Sequence, residues 1–142
     1  MKTFVLVSCA VLVTFASLLS GQASSQDGPT PSIKDVMGKL HKGAPSPLAK
    51  LKTDLSAPSP DWAALEKATK DFVILGAALA KNDPPKGDKA SWNKLAAMYF
   101  EDAKTLDNAV KAHDAAAAKA AQAKLSASCK SCHGAHKGKA AR

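Results

Sequence analysis

Two cysteines and a histidine near the end of the chain form its most specific chemical motif. Cys129, Cys132 and His133 stand in the spacing Cys-x-x-Cys-His, which is the signature of covalent haem attachment. The spacing has a chemical reason, because each thiol can add to one vinyl group of a haem while the next imidazole reaches the iron. The motif therefore predicts one covalently bound haem c, with His133 as an iron ligand.

Paired cysteines also serve as structural disulfides, zinc ligands and thioredoxin-like redox pairs. A zinc site requires two more thiol or imidazole ligands at close spacing, and only His136 is near. A thioredoxin-like pair follows a strand, whereas the residues before Cys129 have a helical pattern. Haem attachment is therefore the interpretation that we favour.

The N-terminus has the pattern of an export signal. An apolar run at residues 4–19 is followed by small and polar residues. Gly21 and Ala23 supply the small side chains that a signal peptidase needs, so we predict a signal peptide at 1–23 and one mature domain at 24–142. The alternative is an uncleaved membrane anchor, since the run is barely long enough to span a bilayer. Export agrees with the motif, because c-type haem is attached outside the bacterial cytoplasm, and it predicts a soluble periplasmic protein.

Charge and composition limit the classes of function. The 142 residues carry 20 basic and 12 acidic side chains, a formal net charge of +8, and suffice for one small domain. The basic residues are almost all lysines. Arginines interleaved with aromatic residues would indicate nucleic-acid binding, and the sequence lacks that pattern. No Ser/His/Asp set, carboxylate pair or phosphate loop supports an enzyme with its own organic substrate. The dispersed lysines could instead attract an acidic partner.

Apolar residues recur at helical spacing in four segments. The first covers 33–55 and is interrupted at 43–47, where glycine and prolines break the helix. Ser59, Ser91 and Asp114 are predicted to cap the second, third and fourth helices. Four amphipathic segments with short connections favour an all-α, antiparallel four-helix bundle.

The fourth helix is unusual because small side chains replace leucines. Residues 115–127 are mainly alanine, whereas a self-sufficient bundle core needs larger side chains. We therefore expect this helix to leave room for something large and flat, in keeping with a haem.

The mature chain resembles the cytochrome c prime and cytochrome c-556 family, the class II c-type cytochromes. The resemblance covers nearly all of the mature chain and rests on four features, which are the motif Cys129 to His133, Lys137 four residues after it, Ser91-Trp92 in the third helix, and 33–40 in the first. It implies a bundle with one haem and His133 as the proximal ligand. It also implies exchange of electrons with periplasmic redox proteins, and a homodimer through the first two helices, although the interruption at 43–47 alters that surface.

The sixth position of the iron separates two functions. In cytochromes c-556 a methionine of the first helix binds the iron, and Met37 stands close to that place. His/Met ligation suits electron transfer, so we predict a one-electron carrier. In cytochromes c prime the iron is five-coordinate, which gives the alternative of a protein that binds small gases such as nitric oxide and carbon monoxide. Met37 as an ordinary core residue is the alternative for that side chain.

Other histidines and methionines receive weaker assignments. His41 lies one turn beyond Met37 and is the alternative sixth ligand, although a surface position is expected for it. Met98 lies on a helix that does not supply the ligand in the resembling family. His113 and His136 are expected to be solvated.

Several further residues are expected around the haem. Aromatic side chains would pack on or near the ring and lysines would meet the propionates or the imidazole side. The aromatic residues are Trp92, Phe72 and Tyr99, the propionate partners are Lys34 and Lys39, and the residue on the imidazole side, by resemblance, is Lys137.

Overall fold

A computed structural model describes residues 28–138, and this part of the chain is helical with no strand. Its helices are α1 (Ile33–His41), α2 (Pro47–Asp54), α3 (Trp62–Leu79), α4 (Lys89–Lys111) and α5 (Ala115–His136). The predicted all-α class is confirmed, whereas the predicted signal peptide at 1–23 lies outside the described residues. None of the described helices combines the length and the apolar character that crossing a membrane requires.

The predicted interruption of the first segment separates α1 from α2. Ser32 begins α1 with a capping box, in which its hydroxyl accepts the N–H of Asp35 and the Asp35 carboxylate accepts the N–H of Ser32. Gly43 adopts a φ of 108°, a conformation that favours glycine. Ser46 then caps α2, which has a proline in its first turn. The break at this place is therefore confirmed.

Aspartates cap the three long helices. Asp61 caps α3 and Asp88 caps α4, so the predicted caps at Ser59 and Ser91 are wrong. A carboxylate accepts the free N–H groups of a first turn as well as a hydroxyl does, and each aspartate stands within three residues of the serine. Asp114 caps α5 as predicted.

The helices surround a core to which all five contribute. α4 packs extensively against both α3 and α5, and α2 contacts α1, α3 and α5. α1 packs on α2 and α3, but no Cα atom of α1 lies within 8 Å of a Cα atom of α5. The largest fully buried apolar side chains are Phe72, Leu40, Leu51, Leu55, Leu65, Leu106, Leu125, Val36 and Val110.

Two alanines of α5 belong to this core. Ala118 and Ala121 are 0% and 3% exposed, and they are part of the same cluster as Leu48, Leu51 and Leu125. None of residues 115–127 lines the cavity described below, so the room that α5 leaves lies beside the end of the helix and not beside its alanine-rich part. Small side chains let neighbouring helices approach α5 closely, so the packed core needs no large residue there.

Candidate functional site

The motif lies on one face of α5, in the last two turns of the helix. Cys129, Cys132 and His133 are three and four residues apart, a spacing that places side chains side by side on a helix. The same face carries the buried residues Ala121 and Leu125 earlier in α5. The motif is therefore a continuation of the core face of α5 beyond the packed core.

At this end of α5 the motif borders a cavity of about 430 Å³, which is within the range of small-molecule pockets. Its walls come from α1, α4 and α5, and most of the lining side chains are apolar. No Cα atoms of α1 and α5 lie within 8 Å of each other, and residues of both helices line the cavity, which occupies space between them. The predicted haem residues that line it are Met37, His41, Trp92, Tyr99, Cys129, Cys132, His133 and Lys137.

Both cysteines are free and half-buried at the cavity wall. Burial raises the pKa of the Cys132 thiol, and Cys129 beside it acts in the same direction. No group of three or more His, Cys, Asp and Glu side chains within residues 28–138 is arranged to hold a metal ion. The zinc alternative therefore receives no support from the described residues, and the cysteines follow a long stretch of helix and not the strand that a thioredoxin-like pair follows.

Two methionines border the cavity. Met37 is half-buried on α1, and Met98 on α4 is 52% exposed. Met37 also borders a shallow outer groove together with Lys34 and Lys39, so it separates the cavity from that groove. Lys34 and Lys39 are exposed and line this groove and not the cavity, so their contact with the propionates stays a prediction. The sequence prediction does not place Met98 on the cavity lining, because the resemblance assigns the iron ligand to the first helix and Met98 lies on another helix.

His41 is half-buried beside aromatic rings, so its expected surface position is wrong. Its Nε2 shares a hydrogen bond of 2.9 Å with the hydroxyl of Tyr99. Its imidazole meets the rings of Tyr99 and Phe72 edge-on, with centroids 5.8 and 6.0 Å apart. The four-residue step from Met37 places it on the inner face of α1 and is the signal that indicates this position.

The protonation states of His41 and Tyr99 follow from the position of these residues in the cavity wall. Burial lowers the pKa of His41, and the nearby His133 lowers it further. Burial also raises the pKa of Tyr99, and Cys129 adds to the effect. At neutral pH the cavity wall therefore holds a neutral imidazole and a protonated phenol.

His136 is buried, contrary to the prediction that it is solvated. It is 2% exposed, and its ring nitrogens form hydrogen bonds with the hydroxyl of Ser91 at 3.2 Å and the carbonyl of Lys86 at 3.0 Å. Gly87 has a φ of 82°, and a Cβ there would lie 2.9 Å from Nδ1 of His136. His136 therefore ties the end of α5 to the segment before α4. Its four-residue step from Cys132 is the signal that could have revealed this.

The remaining predicted neighbours divide between cavity and core. Trp92 is buried, and its indole N–H donates to the carbonyl of Leu79 at 3.0 Å while the ring lines the cavity. Phe72 lies in the core and reaches the site only through His41. His113 is exposed as expected, stacked on Trp62 with ring centroids 4.9 Å apart.

Comparisons with protein-family models, curated proteins and solved structures found no match for this chain. We therefore infer its function from the chemistry and geometry of its own residues.

Proposed function

We propose that this chain is an exported c-type cytochrome that carries single electrons, with one haem attached to Cys129 and Cys132. The observation that supports this proposal is that both thiols and the imidazole of His133 border the same apolar cavity as Met37. α1 and α5 leave this space between them, and in this proposal the flat haem would lie between the helix with the thiols and the helix with the thioether.

In this proposal side chains of the motif and of α1 would hold the haem in two ways. Each cysteine S–H adds across one vinyl C=C bond, with sulfur on one carbon and hydrogen on the other, so nothing is lost from either molecule. His133 and Met37 would supply a nitrogen and a sulfur to the iron. A haem held in this way supplies an iron that accepts and releases one electron.

The surroundings suit this one-electron role. A thioether is a soft ligand that favours ferrous over ferric iron. The apolar side chains of the cavity disfavour the extra positive charge of the ferric form. Met37 and the apolar wall would therefore both raise the reduction potential.

We also propose the four-helix bundle of the cytochrome c prime and cytochrome c-556 family. α1 and α2 would together form its first helix in two pieces. α2 contacts α3, α3 contacts α4, α4 contacts α5 and α5 contacts α2, with no diagonal contacts among these four described helices. Such a ring of neighbours is the arrangement of an up-and-down bundle. Export through 1–23 would bring the protein to the periplasm, where its partners would be other redox proteins.

The haem proposal is tested by mass spectrometry and visible absorption of protein produced by a host that matures c-type cytochromes. We expect the mass of the mature chain plus one whole haem, and a low-spin spectrum. The double variant Cys129→Ala with Cys132→Ala is expected to be colourless and of unmodified mass. Colourless wild-type protein of unmodified mass would contradict the proposal.

The electron-carrier assignment is tested by the methionine-to-iron charge-transfer band of the ferric protein. Met37→Ala should abolish the band and give a high-spin iron that binds carbon monoxide. Met98→Ala is the matched control, since it removes the other cavity methionine and should leave the band intact. A five-coordinate, high-spin spectrum of the wild-type protein would instead favour a binder of nitric oxide or carbon monoxide, with the same haem attachment.

A further inference from the structure

Two potential axial ligands lie one turn apart on α1. Met37 and His41 both border the cavity, and four residues separate them, so their side chains lie on the same side of the helix. Imidazole is a common ligand of iron, whereas a thioether is a soft ligand. In the ferric state His41 would therefore compete with Met37 unless its imidazole is held in place.

Tyr99 is placed to hold that imidazole. Its hydroxyl shares the 2.9 Å hydrogen bond with Nε2 of His41, and the residue is 6% exposed. A Cβ at Gly76 of α3 would lie 3.1 Å from Cε1 of Tyr99, so the glycine gives this ring room to pack against α3. On its other side the imidazole meets the edge of Phe72. His41 of α1 is thus fixed by side chains of α3 and α4.

We infer that Tyr99 is a positioning residue, which keeps Nε2 of His41 engaged and thereby leaves the sixth coordination position of the iron to Met37. The inference rests on the proposed haem attachment at Cys129 and Cys132. Its consequence is that loss of Met37 alone opens the iron to external ligands, because His41 stays bonded to Tyr99. Loss of the Tyr99 hydroxyl as well releases His41 to bind the iron.

The test compares spin states in haem-bearing variants that lack Met37. In Met37→Ala we expect high-spin ferric iron to predominate. In Met37→Ala with Tyr99→Phe, which keeps the aromatic ring, the ratio of low-spin to high-spin iron should rise on the order of tenfold, as the loss of one hydrogen bond predicts. The triple variant that adds His41→Ala should return to the ratio of Met37→Ala. Absorption and electron paramagnetic resonance measure the ratio, and circular dichroism checks the fold.

Two outcomes would overturn the inference. An equal spin ratio with and without the Tyr99 hydroxyl would show that the hydroxyl does not restrain His41. A low-spin rise that persists in the triple variant would assign the new ligand to another residue. Both outcomes require coloured protein that carries haem, whereas colourless wild-type protein would contradict the proposed function itself.

A single variant gives a second test if the double variant does not fold. Tyr99→Phe with Met37 intact should weaken the methionine-to-iron band of the ferric protein while the iron stays low-spin, because the released imidazole replaces the thioether. His41→Ala added to Tyr99→Phe should restore the band. A band of unchanged intensity in Tyr99→Phe would overturn the inference.

Discussion

One face of α5 meets two different surroundings along its length. In the first half, Leu125 is fully buried, and the side-chain amide of Gln122 donates to the carbonyl of Leu48 in α2 at 3.3 Å. In the second half, the same face carries Cys129 and His133 and borders the cavity. The spacing along the helix is the same in both halves, and only the neighbouring helices differ. Periodicity thus identifies the inner face of a helix. The neighbouring helices decide whether that face is packed in the core or borders a cavity.

The largest difference between the two halves should appear in stability. Leu125→Ala should lower the free energy of unfolding by about 2–5 kcal/mol, because it leaves a cavity in the packed half. The control Met98→Ala deletes a side chain of similar size at the cavity rim, where it is half-exposed, and should cost much less. Urea unfolding of both variants measures the losses. Equal losses would mean that the cavity end is packed as tightly as the core.

A smaller effect is expected from His136, which closes the cavity end of α5. His136→Phe keeps a ring but removes the hydrogen bonds to Ser91 and Lys86, and should cost about 1–3 kcal/mol. His113→Phe is the control, because that histidine is exposed and its replacement should change stability little. Thermal unfolding compares the two variants, and a larger loss for His113→Phe would contradict the structural role of His136.

Much of the fold follows from the sequence because helical periodicity is a local signal. The stripes and the break at 43–47 lead to the described helices, and Asp114 is the cap predicted for α5. The predicted caps at Ser59 and Ser91 were wrong because nearby aspartates bind the N–H groups of the same first turns. Local sequence does not show which of two neighbouring capping residues takes that position.

The site was less predictable than the fold because it depends on contacts between distant parts of the chain. The motif identifies Cys129, Cys132 and His133 by spacing alone. The location of the cavity was not predictable from the alanines of α5, since the buried ones, Ala118 and Ala121, lie in the packed core and the cavity lies beyond them. The bond between His41 and Tyr99 joins residues 58 positions apart, so no local pattern indicates it.

The helix caps at the two ends of the molecule should have different consequences. Ser32→Ala removes the cap of α1 and should cost about 1 kcal/mol. It should also disturb the methionine-to-iron band, because Ile33 and Met37 of α1 line the cavity. Asp114→Ala removes the cap of α5 at its packed end, so it should cost a similar amount without changing the band. A change of the band in Asp114→Ala alone would contradict the separation of the two halves.

The Ser32 cap should also show in acid titration. The hydrogen bond from the Ser32 hydroxyl holds the pKa of Asp35 below its ordinary value, and the Ser32 backbone N–H adds to this effect. A carboxylate with a lowered pKa stabilises the fold above its ordinary pKa, and this contribution is lost as the pH falls through the lowered value. Ser32→Ala should therefore shift the acid loss of the methionine-to-iron band to higher pH. An unchanged midpoint would exclude the capping box as a support of Met37.

The smallest expected effect concerns charge along α5. All 12 acidic residues precede residue 115, so the acidic and basic side chains among the last 28 residues are all basic. Their basic residues are Lys119, Lys124, Lys130, Lys137, Lys139 and Arg142. An anionic reactant should therefore approach the cavity end of α5 faster than a neutral one. The anion hexacyanoferrate(III) tests this, through the rate at which it oxidises the ferrous form of the proposed cytochrome. Lys130→Glu should slow this reaction on the order of threefold at low salt, and the difference should disappear at high salt.

Lys119→Glu makes the same change of charge on the packed half of the same helix. Lys119 and Lys130 are both exposed and lie eleven residues apart, which is about 16 Å along a helix. This separation exceeds the Debye length of about 10 Å at 0.1 M salt, so the two charges act independently there. If the motif end is where electrons leave, only Lys130→Glu should slow the reaction at that salt. Equal slowing by both variants would mean that net charge, and not the position of the site, controls the approach of an anionic partner.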